Sequence, residues 1–192
     1  MPAARRVLTM ALVGWSVFCL SNFAPAQQSD QVIAGRVLGP QWKQLSRRAG
    51  MIFAGTVLAA APQTLATKTV PTQAPPTDRA VPAATQSVQL SFRVDHAIAG
   101  VKRGQILTIH EWAGAWSMHR PMRTGQHILI FLYPPSRLGF TSPIGGSLGQ
   151  VALDASGKNV SKDVRKSSAP GSETVSLVQL ERAIRSARSE EE

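Results

Sequence analysis

One short stretch of the chain, HEWAGAWSMHRPMRTGQH at residues 110–127, collects most of the side chains that could do chemistry. It holds three of the four histidines and two of the four tryptophans, together with Glu111. Neutral imidazoles and a carboxylate are common zinc ligands, so these histidines are candidates for a metal site beside Glu111. They are His110, His119 and His127.

The spacing of these residues does not match the compact metal motifs. Residue 114 is glycine, so the two-histidine helical motif is absent, and the chain has no His-x-His or His-x3-His pair. The run GGSLG at residues 145–149 has the G-x-S-x-G spacing, but no helix is predicted after it, so it is better interpreted as a tight turn before the fifth strand, and the chain has no GxxxxGK motif. We therefore predict a protein without a metal or other cofactor that is not an enzyme. A hydrolase is the alternative, built on the metal site or on the carboxylates Asp95, Glu111 and Asp154.

The same stretch suits a binding surface. Indole rings beside guanidinium groups are typical of surfaces that bind sugars or proteins, and loops often carry such sites. We predict that the loop at residues 113–126 recognises a protein or a glycan. The candidate residues are Trp112, Trp116, His119, Arg120 and Arg123. The alternative for each tryptophan is that it covers the open end of the fold.

Apolar patterns define the elements that must position this loop. Strands are predicted at residues 51–61, 88–97, 106–112, 127–133 and 149–157, with helices at residues 42–50 and 172–192. The second strand alternates cleanly, so its apolar residues should share a core with Ile128 and Ile130 or with the residues that alternate with them. They are Val88, Leu90, Phe92 and Val94. Gly55 inside the first strand indicates a bulge or a close backbone approach.

These elements predict a mainly β fold, a five-stranded OB-like Greek-key barrel with a short N-terminal helix and a C-terminal amphipathic helix. An open sandwich is the structural alternative. The predicted parts are a signal peptide (1–26), an N-terminal extension (27–41), the barrel domain (42–154), a polar linker (155–171) and the C-terminal helix (172–192). Within the barrel, five prolines at residues 62–86 predict a long loop without regular structure.

The first 26 residues have the order of a secretory signal: Arg5 and Arg6, an apolar run, and the small residues APA. We predict cleavage after Ala26 and a secreted or periplasmic protein without stable membrane insertion, whereas an uncleaved anchor is the alternative. Cleavage would remove Cys19, the single cysteine, and would lower the formal charge from +10 to +8, because the two arginines are the leader's only charged residues. Disulfides and thiol chemistry are thereby excluded from the mature domain.

The series RRAGMIFAGTVLA, VQLSFRVDHAIAGVKRGQILTI and TGQHILIFLYPP resembles the netrin-like OB-fold domains that include tissue inhibitors of metalloproteinases, and particularly their bacterial secreted relatives. The resemblance implies a barrel fold and an exported interaction module. It implies no target, because those inhibitors chelate zinc through an N-terminal cysteine that the mature chain would lack. Nucleic acid is not an expected partner, since the outward side chains of the second strand include no aromatic platform.

Overall fold

Five strands form the sheet around which the chain folds, and the computed structural model describes residues 24–65, 85–117, 121–161 and 174–190. The strands are β1 (Met51–Leu65), β2 (Thr85–Ala99), β3 (Ile106–Trp112), β4 (His127–Leu132) and β5 (Gln150–Ala152). Their order is β3-β2-β1-β4-β5, and all neighbours run antiparallel. The predicted mainly β fold is confirmed.

The sheet is open, so closure into the predicted OB-like barrel is not confirmed. A 3-10 helix at Gly146–Gly149 interrupts the chain beyond β4, and only three residues of β5 then pair with β4. A parallel bridge between His110 and Phe140 links β3 to the segment that follows β4. Closure requires a run of such pairs along an edge, and an isolated bridge does not provide it.

The inner face of the sheet carries one of two apolar cores, as the alternation of β2 predicts. Its members come from β1 to β4 and from Met122 before β4, and they include the four predicted residues Val88, Leu90, Phe92 and Val94 together with Ile128 and Ile130. Phe92 meets Phe53 of β1 edge to face, with ring centroids 5.5 Å apart. The predicted register of β2 is therefore confirmed.

Helices cover one half of the opposite, outer face. They are α1 (Ala24–Leu38), α2 (Trp42–Arg48) and α4 (Leu177–Ser189), and their apolar residues form a second core with Ile52, Leu129 and Phe131. Among the described residues, no helix is long and apolar enough to cross a membrane.

The region predicted as an N-terminal extension, residues 27–41, is largely helix α1. The missed signal was a short apolar stripe at helical spacing, in which Ala34 and Leu38 are buried against the rest of the second core. Asp30, one turn before Ala34, is also buried and pairs with Arg182 of α4 at 3.4 Å. The predicted cleavage site after Ala26 lies within α1, before the first residue of this packed stripe.

Helix α4 begins at Leu177, later than the predicted residue 172, because Ser176 caps it. The Ser176 side chain accepts from the backbone of Gln179, and the Gln179 side chain accepts from the backbone of Ser176. The acidic C-terminus reads as a frayed end in the sequence, yet Glu190 pairs with Lys43 and Arg47 of α2, both at 3.3 Å. Two cations thus lie beside a carboxylate whose position at the end of the helix the dipole disfavours.

The predicted loop at residues 62–86 is shorter than the proline pattern indicates. β1 continues to Leu65 and β2 begins at Thr85, and the two strands pair over this whole extension. β4 pairs with β1 only up to Thr56, so Pro62 lies where β1 is an edge strand and a missing N–H is tolerated. Residues 66–84 lie outside the described part of the chain.

Candidate functional site

The stretch that opens the sequence analysis is divided between the two faces of the sheet. Along β3, Ile109 and Glu111 point to the inner face, whereas Thr108, His110 and Trp112 point outward. Glu111 is only 1% exposed, so it lies at the edge of the inner core and not on the surface. Period-two alternation therefore separates Glu111 from the histidine beside it, and the two do not form one site.

Trp112 belongs to an aromatic stack on the outer face. Its ring lies nearly parallel to that of Phe140, at 10° and with centroids 4.3 Å apart. The His110 ring meets the same Phe140 edge-on, at 67° and 6.3 Å. Trp112 is still 45% exposed, so the stack is fixed in place and leaves much of the indole open to solvent. Sequence analysis missed Phe140, because the bridge that brings it to His110 joins distant parts of the chain.

Trp116 has the second role that was predicted as an alternative for the tryptophans, that of a covering residue. It lies on the short helix α3 (Ala113–Ser117), where the sequence predicted a loop, and it packs against the inner core. Trp116 is thus a covering side chain, unlike Trp112. Arg123 is exposed in the turn before β4, where its backbone N–H donates to the Gln126 side chain. His119 and Arg120 lie outside the described residues.

The predicted histidine set is not assembled by the described part of the chain. There, no three residues among histidine, cysteine, aspartate and glutamate come close enough to hold a metal ion together. His110 packs on Phe140, and its solvent-shielded Nδ1 makes no hydrogen bond with any residue that the structure describes. His127 lies instead in a polar cluster on the outer face, with Thr56 as its partner.

This polar cluster consists of Thr56, Arg93, Asp95 and His127. The Thr56 hydroxyl donates to Asp95 Oδ2 at 2.8 Å and accepts from Arg93 Nη2 at 3.3 Å. Arg93 Nε also donates to Asp95 Oδ1 at 3.0 Å. His127 Nδ1 lies 3.1 Å from the same hydroxyl and 3.9 Å from Asp95 Oδ2. The sequence singled out Asp95 and His127 for different sites, and the structure joins them.

The number of available protons fixes the direction of the hydrogen bonds between Thr56, Asp95 and His127. Thr56 has one hydroxyl proton, and that proton goes to Asp95, so His127 must donate its Nδ1 hydrogen to Thr56. In a neutral imidazole that donates from Nδ1, Nε2 is the acceptor. A hydroxyl nucleophile needs the reverse arrangement, in which the imidazole accepts the hydroxyl proton. Thr56 is also buried, which keeps it from a substrate.

A β-bulge places Asp95 in the cluster. Ala54 pairs with His96 and Gly55 pairs with Val94, so Asp95 is the extra residue between them. Gly55 makes the bulge possible, because any Cβ at that position would collide with the Arg93 carbonyl oxygen. The predicted close approach at Gly55 is therefore confirmed.

Asp154, the third carboxylate of the alternative hydrolase, accepts hydrogen bonds from residues of its own turn. Asp154 Oδ1 accepts from the Ser156 hydroxyl at 2.7 Å and from the Ser156 backbone at 3.1 Å, and Oδ2 accepts from the Asn159 amide at 2.9 Å. These bonds, above all the one from Ser156, hold the pKa of Asp154 well below its ordinary value. The start of the predicted polar linker, residues 155–161, is thus ordered, and residues 162–171 lie outside the described part of the chain.

Asp154→Asn should destabilise the fold in a pH-dependent way. Because the folded-state pKa is lowered, the stabilisation is fully present above the ordinary pKa of 3.8 and is lost as pH falls toward the lower folded-state pKa. The free energy of unfolding, measured by urea denaturation, should differ most between wild type and variant near about pH 6 and converge with acidification. A difference that stays constant down to acid pH would contradict the ionic role of Asp154.

Comparison of the chain with protein-family models, with curated proteins and with solved structures finds no match.

Proposed function

We propose that this chain is an exported, non-catalytic module that binds a glycan through the outer face of its sheet. The observation that carries the proposal is the stack of Trp112 on Phe140, which holds a half-exposed indole in one orientation. Sugar rings present flat C–H faces that pack on such an indole, and a side chain fixed beforehand loses little entropy on binding. Protein recognition is the other ligand class predicted from the sequence.

The side chains beside the stack favour a glycan over a protein. We define the open face as the outward residues of β2 and β3 that no described helix covers, which are mostly polar: Gln89, Ser91, Arg93, Ile106, Thr108, His110 and Trp112. Ser91 and Thr108 share a hydrogen bond of 3.2 Å, and Gln89 bonds to Gln63 of β1. Amide and hydroxyl groups in a row fit the hydroxyls of a sugar chain, whereas a protein hot spot is usually an apolar cluster with a polar rim.

The hydrolase alternative has a weaker basis in the geometry. Thr56 gives its proton to Asp95 and is buried, which disfavours a nucleophile there. Asp154 is occupied by its own turn, and Glu111 lies on the inner face. Release of reducing sugar from a bound polysaccharide, abolished by His127→Gln, would favour the hydrolase.

The OB-like barrel is the finer form of the fold that we propose with this function. The strand order supports it, as does the parallel bridge from His110 to Phe140, because they bring the chain beyond β4 beside the free edge of β3. A netrin-like relationship is part of the same proposal and rests on the glycine and apolar patterns. Secretion or periplasmic location rests on the signal sequence. N-terminal sequencing of the exported protein should begin at Gln27.

Trp112→Ala should lower glycan affinity by about 30-fold, which corresponds to the roughly 2 kcal/mol that a hot-spot aromatic contributes. The measurement is co-sedimentation with insoluble polysaccharides, including chitin, cellulose and peptidoglycan, followed by titration with soluble fragments of the one that binds. The fold should be retained, since Trp112 belongs to neither core.

Trp116→Ala is the matched control, because it removes the same side chain from the inner core instead of from the open face. It should lower the melting temperature and leave the affinity of the remaining folded protein nearly unchanged. Equal losses of affinity in both variants would contradict the proposed site. Binding to a protein from the secreted fraction, lost on Trp112→Ala, together with no glycan binding would assign the surface to a protein ligand.

A further inference from the structure

A hairpin-shaped loop follows β4 and is closed at its base by an isolated antiparallel bridge between Leu132 and Pro143, and we call residues 133–142 the Leu138 hairpin. Tyr133 N–H donates to the Ser142 carbonyl at 3.1 Å, and Ser136 N–H donates to the Phe140 carbonyl at 2.8 Å. The tip closes with Gly139, whose φ of 77° is one that glycine adopts without strain, and its N–H donates to the Ser136 carbonyl at 2.9 Å. The hairpin therefore holds its tip in a defined shape.

This hairpin exposes apolar side chains that contribute to neither core. Leu138, at the tip, is 76% exposed and is the most exposed large hydrophobic side chain in the described part of the chain. Tyr133 is 40% exposed at the base, and the two prolines that follow it are also exposed. Single exposed leucines are ordinary, but a leucine, a tyrosine and two prolines exposed on one ordered loop mark a candidate contact surface.

The single charged residue within the hairpin is basic. No acidic residue occurs between Glu111 and Asp154, and Arg137 directly precedes the tip leucine. Arg137 is exposed and makes no ion pair with the described residues. A projection that joins an apolar tip to an unpaired cation, without carboxylates to repel an anionic surface, is complementary to the headgroup region of a lipid bilayer.

We propose that the Leu138 hairpin docks the protein on an anionic lipid bilayer. Leu138 enters the boundary between headgroups and acyl chains, and Arg137 pairs with lipid phosphates. Tyr133 lies at the depth where tyrosine and tryptophan are enriched in membrane proteins. This site is separate from the proposed glycan surface and does not depend on it.

A fluorophore that reports local polarity tests the docking directly. The full chain carries Cys19→Ser and Leu138→Cys, and the new thiol is labelled. The vesicles contain phosphatidylcholine and phosphatidylglycerol in equal parts, with pure phosphatidylcholine for comparison. On anionic vesicles the emission should shift to the blue, and lipids with a quencher near the headgroups should quench it. Because the label reports position 138 alone, membrane binding by the apolar N-terminus does not imitate this result.

Leu148→Cys with the same label is the matched control. Leu148 is also an exposed leucine in the acid-free stretch, but it lies beside β4, on the 3-10 helix. Its label should stay unshifted and unquenched. Equal shifts at both positions, or no shift at position 138 on saturating anionic vesicles, would overturn the proposal.

Arg137→Ala tests the electrostatic part. In the chain labelled at position 138, it should raise the lipid concentration at half-maximal shift by about fivefold on anionic vesicles, since one basic residue near such a surface contributes about 1 kcal/mol. On pure phosphatidylcholine the substitution should have little effect. A loss of equal size on both vesicles would exclude pairing with anionic lipid. Leu138→Ala should keep full glycan binding, so failure of this proposal is distinguishable from failure of the glycan proposal.

Discussion

Replacing Phe92 with alanine should lower the free energy of unfolding by about 3–5 kcal/mol, which is the usual cost of removing a buried phenylalanine. Phe92 is fully buried in the inner core, where it packs edge to face on Phe53. The substitution removes both the burial and the aromatic contact and leaves a cavity. A typical domain is stable by about 5–15 kcal/mol, so the variant is expected to approach the limit of folding.

Urea denaturation followed by circular dichroism measures this loss. Ile106→Ala is the control from the neighbouring strand, since Ile106 pairs with Arg93, is 67% exposed and contributes to neither core. Its free energy of unfolding should change by less than about 0.5 kcal/mol. If the two variants were equally stable, Phe92 would not face the core and the register of β2 would be wrong.

Replacing Gly55 with alanine should cost about 3 kcal/mol of stability and should also disorder the polar cluster. A Cβ at this position would lie less than 3.0 Å from the backbone oxygen of Arg93, a separation that Cβ atoms essentially never show. Backbone cannot rotate away as a flexible side chain does. The bulge that directs Asp95 toward Thr56 must therefore shift.

Two measurements separate these effects. Urea denaturation gives the stability, and the NMR signals of the His127 ring report whether its bond to Thr56 persists. Gly114→Ala is the matched control, because nothing lies within 4 Å of a Cβ there and alanine favours helix α3. It should be neutral or slightly stabilising. An unchanged His127 spectrum in Gly55→Ala would show that the bulge does not depend on the glycine.

The polar cluster illustrates why a site can escape sequence analysis. Thr56 lies in an apolar strand and has no charge, so nothing in its neighbourhood marks it. Its partners were visible as single residues, and the sequence assigned Asp95 to a carboxylate set and His127 to a metal set. The contacts form because β1 pairs with both β2 and β4 and because the bulge re-aims Asp95. Both are long-range events that local patterns do not encode.

The sequence by itself determined the elements whose signal is local. The alternation of Val88 to Val94 sets which face of β2 is buried, because a one-residue shift would expose the whole apolar set. Gly55 indicates the bulge, because a residue with a Cβ atom does not fit there. The helix at α2 also follows from apolar spacing. These features are confirmed because each depends on the geometry of a few consecutive residues.

The tertiary structure alone decided the features that depend on contacts between distant segments. It assigned opposite roles to Trp112 and Trp116, which look equivalent in the sequence, because one points away from the sheet onto Phe140 and the other covers the inner core. The sheet is open because the 3-10 helix at Gly146–Gly149 leaves only three residues of β5 to pair with β4. The tertiary structure also made residues 27–38 part of the fold, since the short apolar stripe of α1 stabilises the helix only when it packs on α4 and the rest of the second core.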